Sequence, residues 1–521
     1  MLVMAIKPGH DGSIAVVEDG RLLWCLESEK DTFPRYSRLT PSTLLHVAER
    51  LPRMPDVVAL GGWSKDQGIG KIAAGYIGEH TVQRRPMSFF GSQVEYFSST
   101  HERSHIMMAL GMAPPEEHEL ETVLVWEGIT GAFYVVDRDW RVVRSEPVLN
   151  APGERYSFLF SLADPTFPDR GRAPRPEGSG KLMALAAYGD PKDADKDITA
   201  TVDRILALPH LFMAPKHEFR DTPLYNAGVQ SQACKVAAAL LSQRLFERFA
   251  DVAVNRLPAG TPLRISGGCG LNCDWNAAWR SLGHFSSVFV PPCTNDSGSA
   301  IGTAIDAMVA HEGRRHLDWN VYSGLEFEHN RAPNPEVWRH RRRDDAAIAE
   351  ALAAGRVFAW VQGRWEIGPR ALGHRSLLAE PFSTATRDRL NDIKQREGYR
   401  PIAPVVRIED AADAFIEDFE DEHMLYFRRV RDSRLAGVTH VDGSARAQTV
   451  SAEQEPVLHG LLTAFAERTG IGVLCNTSLN LKGHGFVNRM SDLARYCHEN
   501  EVRDMVVGDD WYSSEPEQQG T

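Results

Sequence analysis

His101 and His105 stand four residues apart in Tyr96-Phe-Ser-Ser-Thr-His-Glu-Arg-Ser-His105, directly ahead of the apolar run Ile106, Met107, Met108 and Leu110. On a helix that spacing stacks both imidazoles on one face, where two neutral rings can share a metal ion. Thr100 or Ser99 is placed to cap the helix, Glu102 suits its first turn, and Pro114 and Pro115 end it. A bare His-x-x-x-His pair also arises when two core or surface histidines fall in register, so the spacing leaves both readings open. The metal reading needs a third ligand. Asp296, in the turn Cys293-Thr-Asn-Asp-Ser-Gly298 ahead of a helical run, can supply it or can serve only as a helix N-cap.

A second concentration of chemistry lies in the last third of the chain. Arg370, Arg375, Lys394, Arg396 and Arg400 fall within one stretch of glycine- and proline-rich turns, and the hydroxyls of Thr477 and Ser478 can join them in the fold. Forked guanidiniums and a lysine clamp a phosphate or triphosphate, while amides such as Asn476 and Asn480 orient a small carbonyl compound. The plainer reading is a set of salt bridges to Glu366, Glu380, Asp388 and Glu397. A third site is suggested by Leu263-Arg-Ile-Ser-Gly-Gly-Cys-Gly-Leu-Asn272, a strand running into glycines and then an asparagine before a helix, which suits a nucleotide. Glu177-Gly-Ser-Gly-Lys-Leu-Met-Ala-Leu-Ala-Ala-Tyr-Gly189 lacks phosphate-loop spacing and reads as a flexible glycine lead-in to an apolar helix.

These residues need a scaffold, and the N-terminal half repeats one. Strands over residues 2–6, 13–18 and 21–27 form a meander opened by Gly9-His-Asp-Gly12, with a hairpin turn at Asp19-Gly20. The layout returns over residues 122–126, 132–137 and 141–148, opened by Glu127-Gly-Ile-Thr-Gly131. Such doubling predicts two similar lobes facing a cleft, each with a glycine turn at its mouth. Helices are expected over residues 42–51, 230–254, 300–309 and 387–396, strands over 57–61, 288–292, 357–361 and 472–480, and an extended run over 398–406. Few apolar runs occur over residues 313–345, which reads as a linker ahead of a third α/β unit.

A chain of 521 residues is too long for one ordinary core, and 43% hydrophobic with 25% charged residues is globular composition apart from a fraying tail over 513–521. A net charge of −12, with Arg339–Arg343 as the one basic run, argues against a nucleic-acid partner. No apolar window approaches the roughly 20 residues of a membrane helix. Seven cysteines without framework spacing suit a reducing cytoplasm, and Cys269, Cys273 and Cys293 read as small buried thiols rather than zinc ligands.

Taken in order, the motifs resemble the NodU/CmcH-type O-carbamoyltransferases that decorate antibiotics and nodulation factors. The resemblance runs nearly end to end through Gly9-His-Asp-Gly12, Glu27-Ser-Glu29, His101-Glu-Arg-Ser-His105, Gly180-Lys-Leu-Met-Ala-Leu-Ala186, Gly267-Gly-Cys-Gly-Leu-Asn272 and Asn295-Asp296. It continues through Glu366-Ile-Gly-Pro-Arg-Ala-Leu-Gly-His-Arg-Ser376, Lys394-Gln-Arg-Glu-Gly-Tyr-Arg-Pro401, Val438-Thr-His-Val-Asp-Gly443 and Asn476-Thr-Ser-Leu-Asn480. Phe33-Pro-Arg-Tyr36 and Ser98-Ser-Thr-His101 are most similar to members acting on the hydroxymethyl group of a cephem in cephamycin biosynthesis.

The resemblance implies an α/β fold with a two-lobed actin-like domain over residues 1–330, akin to threonylcarbamoyl transferases, and a YrdC-like domain over 345–521. It implies that the second domain converts carbamoyl phosphate and ATP, with Mg, to carbamoyl adenylate and pyrophosphate. The first then passes the carbamoyl group to a hydroxyl of an antibiotic, a 3-hydroxymethylcephem above all. By motif, His101, His105 and Asp296 match ligands of a divalent metal, iron in the family, and His10 matches the general base. Gly267, Gly268 and Asn272 would hold adenosine. Arg370, Arg375, Lys394, Arg400, Asn476 and Ser478 would hold carbamoyl phosphate and the ATP phosphates. Relatives usually carry Asp-Gly-x-Gly-Glu where this chain has Glu127-Gly-Ile-Thr-Gly131, so Glu127 stays outside the expected set. Acceptor contacts are expected in loops over residues 63–97 and 150–176. Other readings are a sugar or macrolide acceptor, a nucleotide-switched actin-like binding protein, which leaves the C-terminal cations unexplained, and a tRNA-modifying enzyme, which the acidic balance opposes.

Overall fold

Asp19 and Gly20, with φ of 49° and 85°, make the two-residue left-handed turn that matches strand twist, and the first meander folds about it. Strands β1 (Leu2–Lys7), β2 (Ser13–Glu18) and β3 (Arg21–Glu27) pair antiparallel, and β4 (Val57–Gly61) joins β1 in parallel. A hairpin of β5 (Val82–Phe89) and β6 (Ser92–Ser99) completes a six-stranded sheet of order β3-β2-β1-β4-β6-β5. The computed structural model describes residues 1–30, 33–62, 74–80, 82–209, 215–417 and 419–514.

The second sheet repeats the pattern. β7 (Leu120–Trp126), β8 (Gly131–Asp137) and β9 (Val142–Pro147) form the meander, and β10 (Leu263–Ser266) and β11 (Val288–Phe289) add in parallel, giving β11-β10-β7-β8-β9. The doubled meander thus builds two sheets of like pattern, as the repeat in the sequence predicts. Between the sheets lie the histidine helix, His101–Gly111, and the helix Ser299–Glu312, in one core holding Val3, Ala5, Val123, Val125, Met108 and Ile305. The two helices touch closely because Gly302 has no side chain: a Cβ there would lie 1.8 Å from the Ser104 carbonyl oxygen. Arg103 then bridges to Asp306 through two bonds of 2.8 Å, fixing both axial position and rotation of the histidine helix.

The C-terminal unit is a mixed eight-stranded sheet of order β12-β21-β20-β13-β14-β19-β15-β18. Its strands are β12 (Arg339–Arg342), β13 (Phe358–Val361), β14 (Arg375–Ala379), β15 (Ala403–Arg407), β18 (Gln448–Val450), β19 (Val473–Ser478), β20 (Asp504–Val507) and β21 (Asp510–Ser513). β16 (Arg428–Arg429) and β17 (Ser444–Ala445) form a separate ribbon. The turn containing Gly368 docks this unit on the first lobe. Gly368 donates its N–H to Glu27 at 2.7 Å and accepts from the Lys30 ammonium at 2.6 Å, and its φ of +88° and a Cβ clash with Pro292 require glycine.

Three expectations change. Arg339–Arg342 is an edge strand on β21 rather than linker, because its charged side chains meet partners on that strand and its turn: Arg342 pairs with Asp509 and Asp510, and Arg341 lies over Trp511. Gly178 and Gly180 lie inside the helix Pro176–Ala186, which starts at its proline and has no glycine lead-in. Much of the acceptor loop expected over residues 63–97 is the β5–β6 hairpin. Residues 63–73 and 81 of that loop, and the tail beyond residue 514, lie outside the described residues. The second loop contains the helix Pro152–Ala163. No described helix is long and apolar enough to cross a membrane, and all seven cysteines are buried free thiols.

Candidate metal and anion sites

The Thr100 hydroxyl accepts from the Arg103 N–H and caps the histidine helix as its sequence suggests. Both imidazoles are buried, not set at a cleft mouth: His101 is 1% and His105 0% exposed. Their Nε2 atoms lie 3.2 Å apart, and each is 3.4 Å from Oδ1 of Asp296, which arrives from the turn before Ser299–Glu312. Glu127, at the end of β7, brings Oε2 to 3.2 Å from His101 Nε2 and 3.7 Å from His105 Nε2. The four ligating atoms lie within 4.8 Å of one another. The five separations just given average about 3.4 Å, and a regular tetrahedron of that edge has its centre about 2.1 Å from each corner, the usual distance from a first-row divalent ion to imidazole and carboxylate. Two histidines and two carboxylates with one oxygen each pointed inward fit such an ion. Burial opposes ionisation of Asp296, but Lys7 and the two histidines overcome it and hold the carboxyl well below its usual range. Burial likewise disfavours the His101 cation, yet Asp296 and Glu127 raise its pKa to about 9.

Sequence reasoning left Glu127 out because its side chain is one methylene longer than the aspartate of relatives. The structure brings its carboxylate against both imidazoles, as a fourth group that could ligate an ion. Lys7 was also missed: it is 0% exposed, reaches Oδ2 of Asp296 at 3.0 Å and donates to the His10 carbonyl. A lysine closing the apolar run Leu2–Ile6, three residues before His10, was the available signal.

His10 sits beside this pocket, its side chain 50% exposed, with Nδ1 2.7 Å from Oδ2 of Asp11 and 3.7 Å from Oδ2 of Asp296. A carboxylate on Nδ1 favours the tautomer whose basic lone pair is on Nε2. Gly267 has φ of +100°, and a Cβ would lie 2.4 Å from the Trp126 carbonyl oxygen, so the turn after β10 demands glycine. Gly268 is exposed, with nothing within 4 Å of where a Cβ would be. Asn272 uses Oδ1 to cap the helix Cys273–Ser281, while its buried Nδ2 has no hydrogen-bond partner among the described residues.

The C-terminal cations gather as expected, with one exception. Arg370 and Arg396 have pKa values lowered to about 9, first by burial and then by neighbouring cations, Arg446 and Arg400 for both and Arg35 for Arg370. Burial, Arg396, Arg35 and Arg400 push Lys394 well below its ordinary value, and Arg400 is lowered by burial, Arg35 and Arg446. The carboxylate that offsets Arg396 and Arg400 is Glu397, already 2.6 Å from Lys181. The Nε of Arg370 and of Arg446 are buried without a partner among the described residues. Lys394 is held by Ser478 and Asn480. Asn476 donates to Ala371 and Gln448 at 3.2 Å, and its Oδ1 is buried without a partner among the described residues. These arginines are half-buried and Lys394 buried, and a cluster so short of negative charge has the electrostatics to accept an anion. Arg35 and Arg446 were absent from the expected set, although Arg35 lies in the quoted Phe33-Pro-Arg-Tyr36.

Arg375 is the exception. Its five N–H groups make five bonds: Nε and one Nη donate to Asn488, and the rest to the carbonyls of Gln362, His374 and Gly363. With no donor left, Arg375 fastens its own loop and does not face an anion. Glu366 does not pair with the C-terminal cations among the described residues and instead accepts the backbone N–H groups of Leu372, His374 and Arg375.

The sequence patterns of two families match the chain, Carbamoyltransferase N-terminus over residues 87–305 and Carbamoyltransferase C-terminus over 349–514. The chain is 63% identical to a 3'-hydroxymethylcephem-O-carbamoyltransferase of Streptomyces clavuligerus, covering 98% of this chain and 99% of that protein. It is 62% identical, with the same coverage, to a protein of that name from Amycolatopsis lactamdurans. Nodulation protein U of Rhizobium tropici is 34% identical, with 96% of this chain and 94% of that protein covered.

Proposed function

The chain belongs to the carbamoyltransferase family, and from that premise we propose that it is an ATP-dependent enzyme transferring a carbamoyl group to the hydroxymethyl oxygen of a 3-hydroxymethylcephem. The observation that carries the acceptor is 63% identity over 98% of the chain to a relative named for that substrate.

The half-buried arginines and the buried Lys394 suit the activation half. Arg370, Arg396, Arg400, Arg446, Arg35 and Lys394 would bind the phosphates of carbamoyl phosphate and Mg-ATP. For atoms to balance, water must first release inorganic phosphate from carbamoyl phosphate. The carbamate oxygen then attacks the α-phosphorus of ATP, forming carbamoyl adenylate as pyrophosphate leaves. Forked guanidiniums neutralise the pyrophosphate charge as it develops. Arg370 also donates to the Leu271 carbonyl at 2.9 Å, which ties this cluster to the Gly267–Asn272 turn proposed for adenosine.

Transfer would use the other site. The acceptor oxygen attacks the carbamoyl carbon, the bond from that carbon to the adenylate oxygen breaks, and His10 Nε2 takes the hydroxyl proton while Asp11 steadies the imidazolium. A divalent ion held by His101, His105, Asp296 and Glu127 would supply Lewis acidity toward a phosphate or carbonyl oxygen. Lys7 keeps Asp296 ionised and oriented for that role.

The test is to incubate purified enzyme with carbamoyl phosphate, Mg-ATP and separate 3-hydroxymethylcephem, sugar and macrolide acceptors, and to seek carbamoylated product by mass spectrometry. Carbamoylated cephem that requires both ATP and carbamoyl phosphate is expected. Product formed equally without ATP, or only on the sugar or macrolide, overturns the reading.

A further inference from the structure

We propose that Tyr76 is a positioning residue that presents a single oxygen of Glu127 to the metal pocket, an inference resting on the metal reading of the four-residue cluster. The Tyr76 hydroxyl lies 2.9 Å from Oε1 and 3.0 Å from Oε2 of Glu127, and the ring stacks on His101 with centroids 4.3 Å apart. Oε1 also accepts the Thr130 N–H at 3.2 Å, within a turn where Glu127 N–H donates back to the Thr130 carbonyl at 2.9 Å. The Thr130 N–H picks out Oε1 while the Tyr76 hydroxyl, straddling both oxygens, fixes the carboxylate plane, and Oε2 is the oxygen turned toward His101 and His105. Glutamate has one more rotatable bond than aspartate, and without this hold its carboxylate could swing or chelate through both oxygens.

The backbone makes Tyr76 a fixed support. The Gly75 and Tyr76 carbonyls accept the N–H groups of His101 and Glu102 at 3.2 and 3.0 Å, covering the open N-terminus of the histidine helix. The Gly78 N–H donates to Glu102 at 2.7 Å, and the Thr100 hydroxyl donates to the Gly78 carbonyl. Tyr76 is thereby held to the same helix end that carries the two histidines, and it reaches across to a carboxylate of the opposite sheet. One residue sets the spacing between ligands contributed by two lobes.

The test is a double-mutant cycle read by cobalt(II) binding to the chelator-treated full-length enzyme, followed by visible d–d absorption and by isothermal titration. Tyr76→Phe should weaken cobalt binding about 10- to 100-fold and change the d–d band, as loss of a hydrogen bond to a metal ligand does. It should leave the melting temperature of the metal-free protein unchanged, since the loop is fastened through its backbone. In Glu127→Asp the shorter carboxylate no longer reaches the Tyr76 hydroxyl, so adding Tyr76→Phe should cost less than about 3-fold. Wild-type affinity in Tyr76→Phe, or an equal loss in both backgrounds, overturns the proposal. Failure of the wild type to bind one cobalt per chain overturns the metal reading beneath it.

Discussion

Replacing Arg370 with methionine should stabilise the ligand-free enzyme while abolishing its response to substrates. Arg370 sits among Arg446, Arg400 and Arg35, and burial and those neighbours lower its pKa by more than three units to about 9. At about 1.4 kcal/mol per pKa unit, keeping the charge in that place costs on the order of 5 kcal/mol. The bond to Leu271 and residual screening by solvent lower the recoverable part to about 1–3 kcal/mol. Methionine keeps most of the aliphatic stem and removes the charge. The assay is thermal denaturation with and without ATP plus carbamoyl phosphate. The wild type should gain about 2.7 kcal/mol at ligand concentrations of 100 Kd, whereas Arg370→Met should melt higher without ligand and gain nothing with it. A variant that melts lower and still responds to substrate would refute the reasoning, because the cluster would then be a satisfied structural network.

The same cluster sets a pH dependence. Above about pH 9 the unfolded chain still binds the protons that folded Arg370 and Arg396 have released, so their destabilising effect, present at neutral pH, fades as pH rises past about 9. The stability gap between Arg370→Met and wild type should therefore shrink from pH 8 to pH 10, and a gap that widens would contradict the assignment. Arg375→Lys should cost about 2–4 kcal/mol in denaturant unfolding, since lysine cannot reproduce five bonds, yet pyrophosphate release per folded molecule should persist. His105→Gln should lower bound metal, measured by elemental analysis, from about one per chain to under a tenth, and unchanged metal content would sink the four-ligand site.

The parts legible in sequence are those where chemistry and periodicity coincide. The doubled meander shows through alternating strands and glycine turns, and the histidine helix through its cap and four-residue spacing. What stayed hidden depends on contacts between distant segments. Glu127 looked like a displaced turn residue, and only the approach of β7 to the histidine helix puts its carboxylate beside both imidazoles. Arg375 lies in an arginine-rich motif beside Arg370, but nothing local says that Asn488 and three carbonyls take all its donors. Arg35 reaches the C-terminal cations from a loop whose Arg35 N–H bonds to the Gly483 carbonyl at 2.9 Å, a pairing across most of the chain. The Arg339–Arg342 run resembled linker because an exposed edge strand of charged residues has no apolar alternation to reveal it.

The separation of activation from transfer is tested most directly by His10→Asn, assayed for pyrophosphate and carbamoylated cephem side by side on one preparation. Asparagine keeps polarity near Asp11 but cannot take the acceptor proton. Product formation should fall about 100- to 10,000-fold while pyrophosphate release from ATP and carbamoyl phosphate continues near the wild-type rate. Equal loss of both would contradict the account and make His10 a support of the Gly9–Gly12 turn instead of the base.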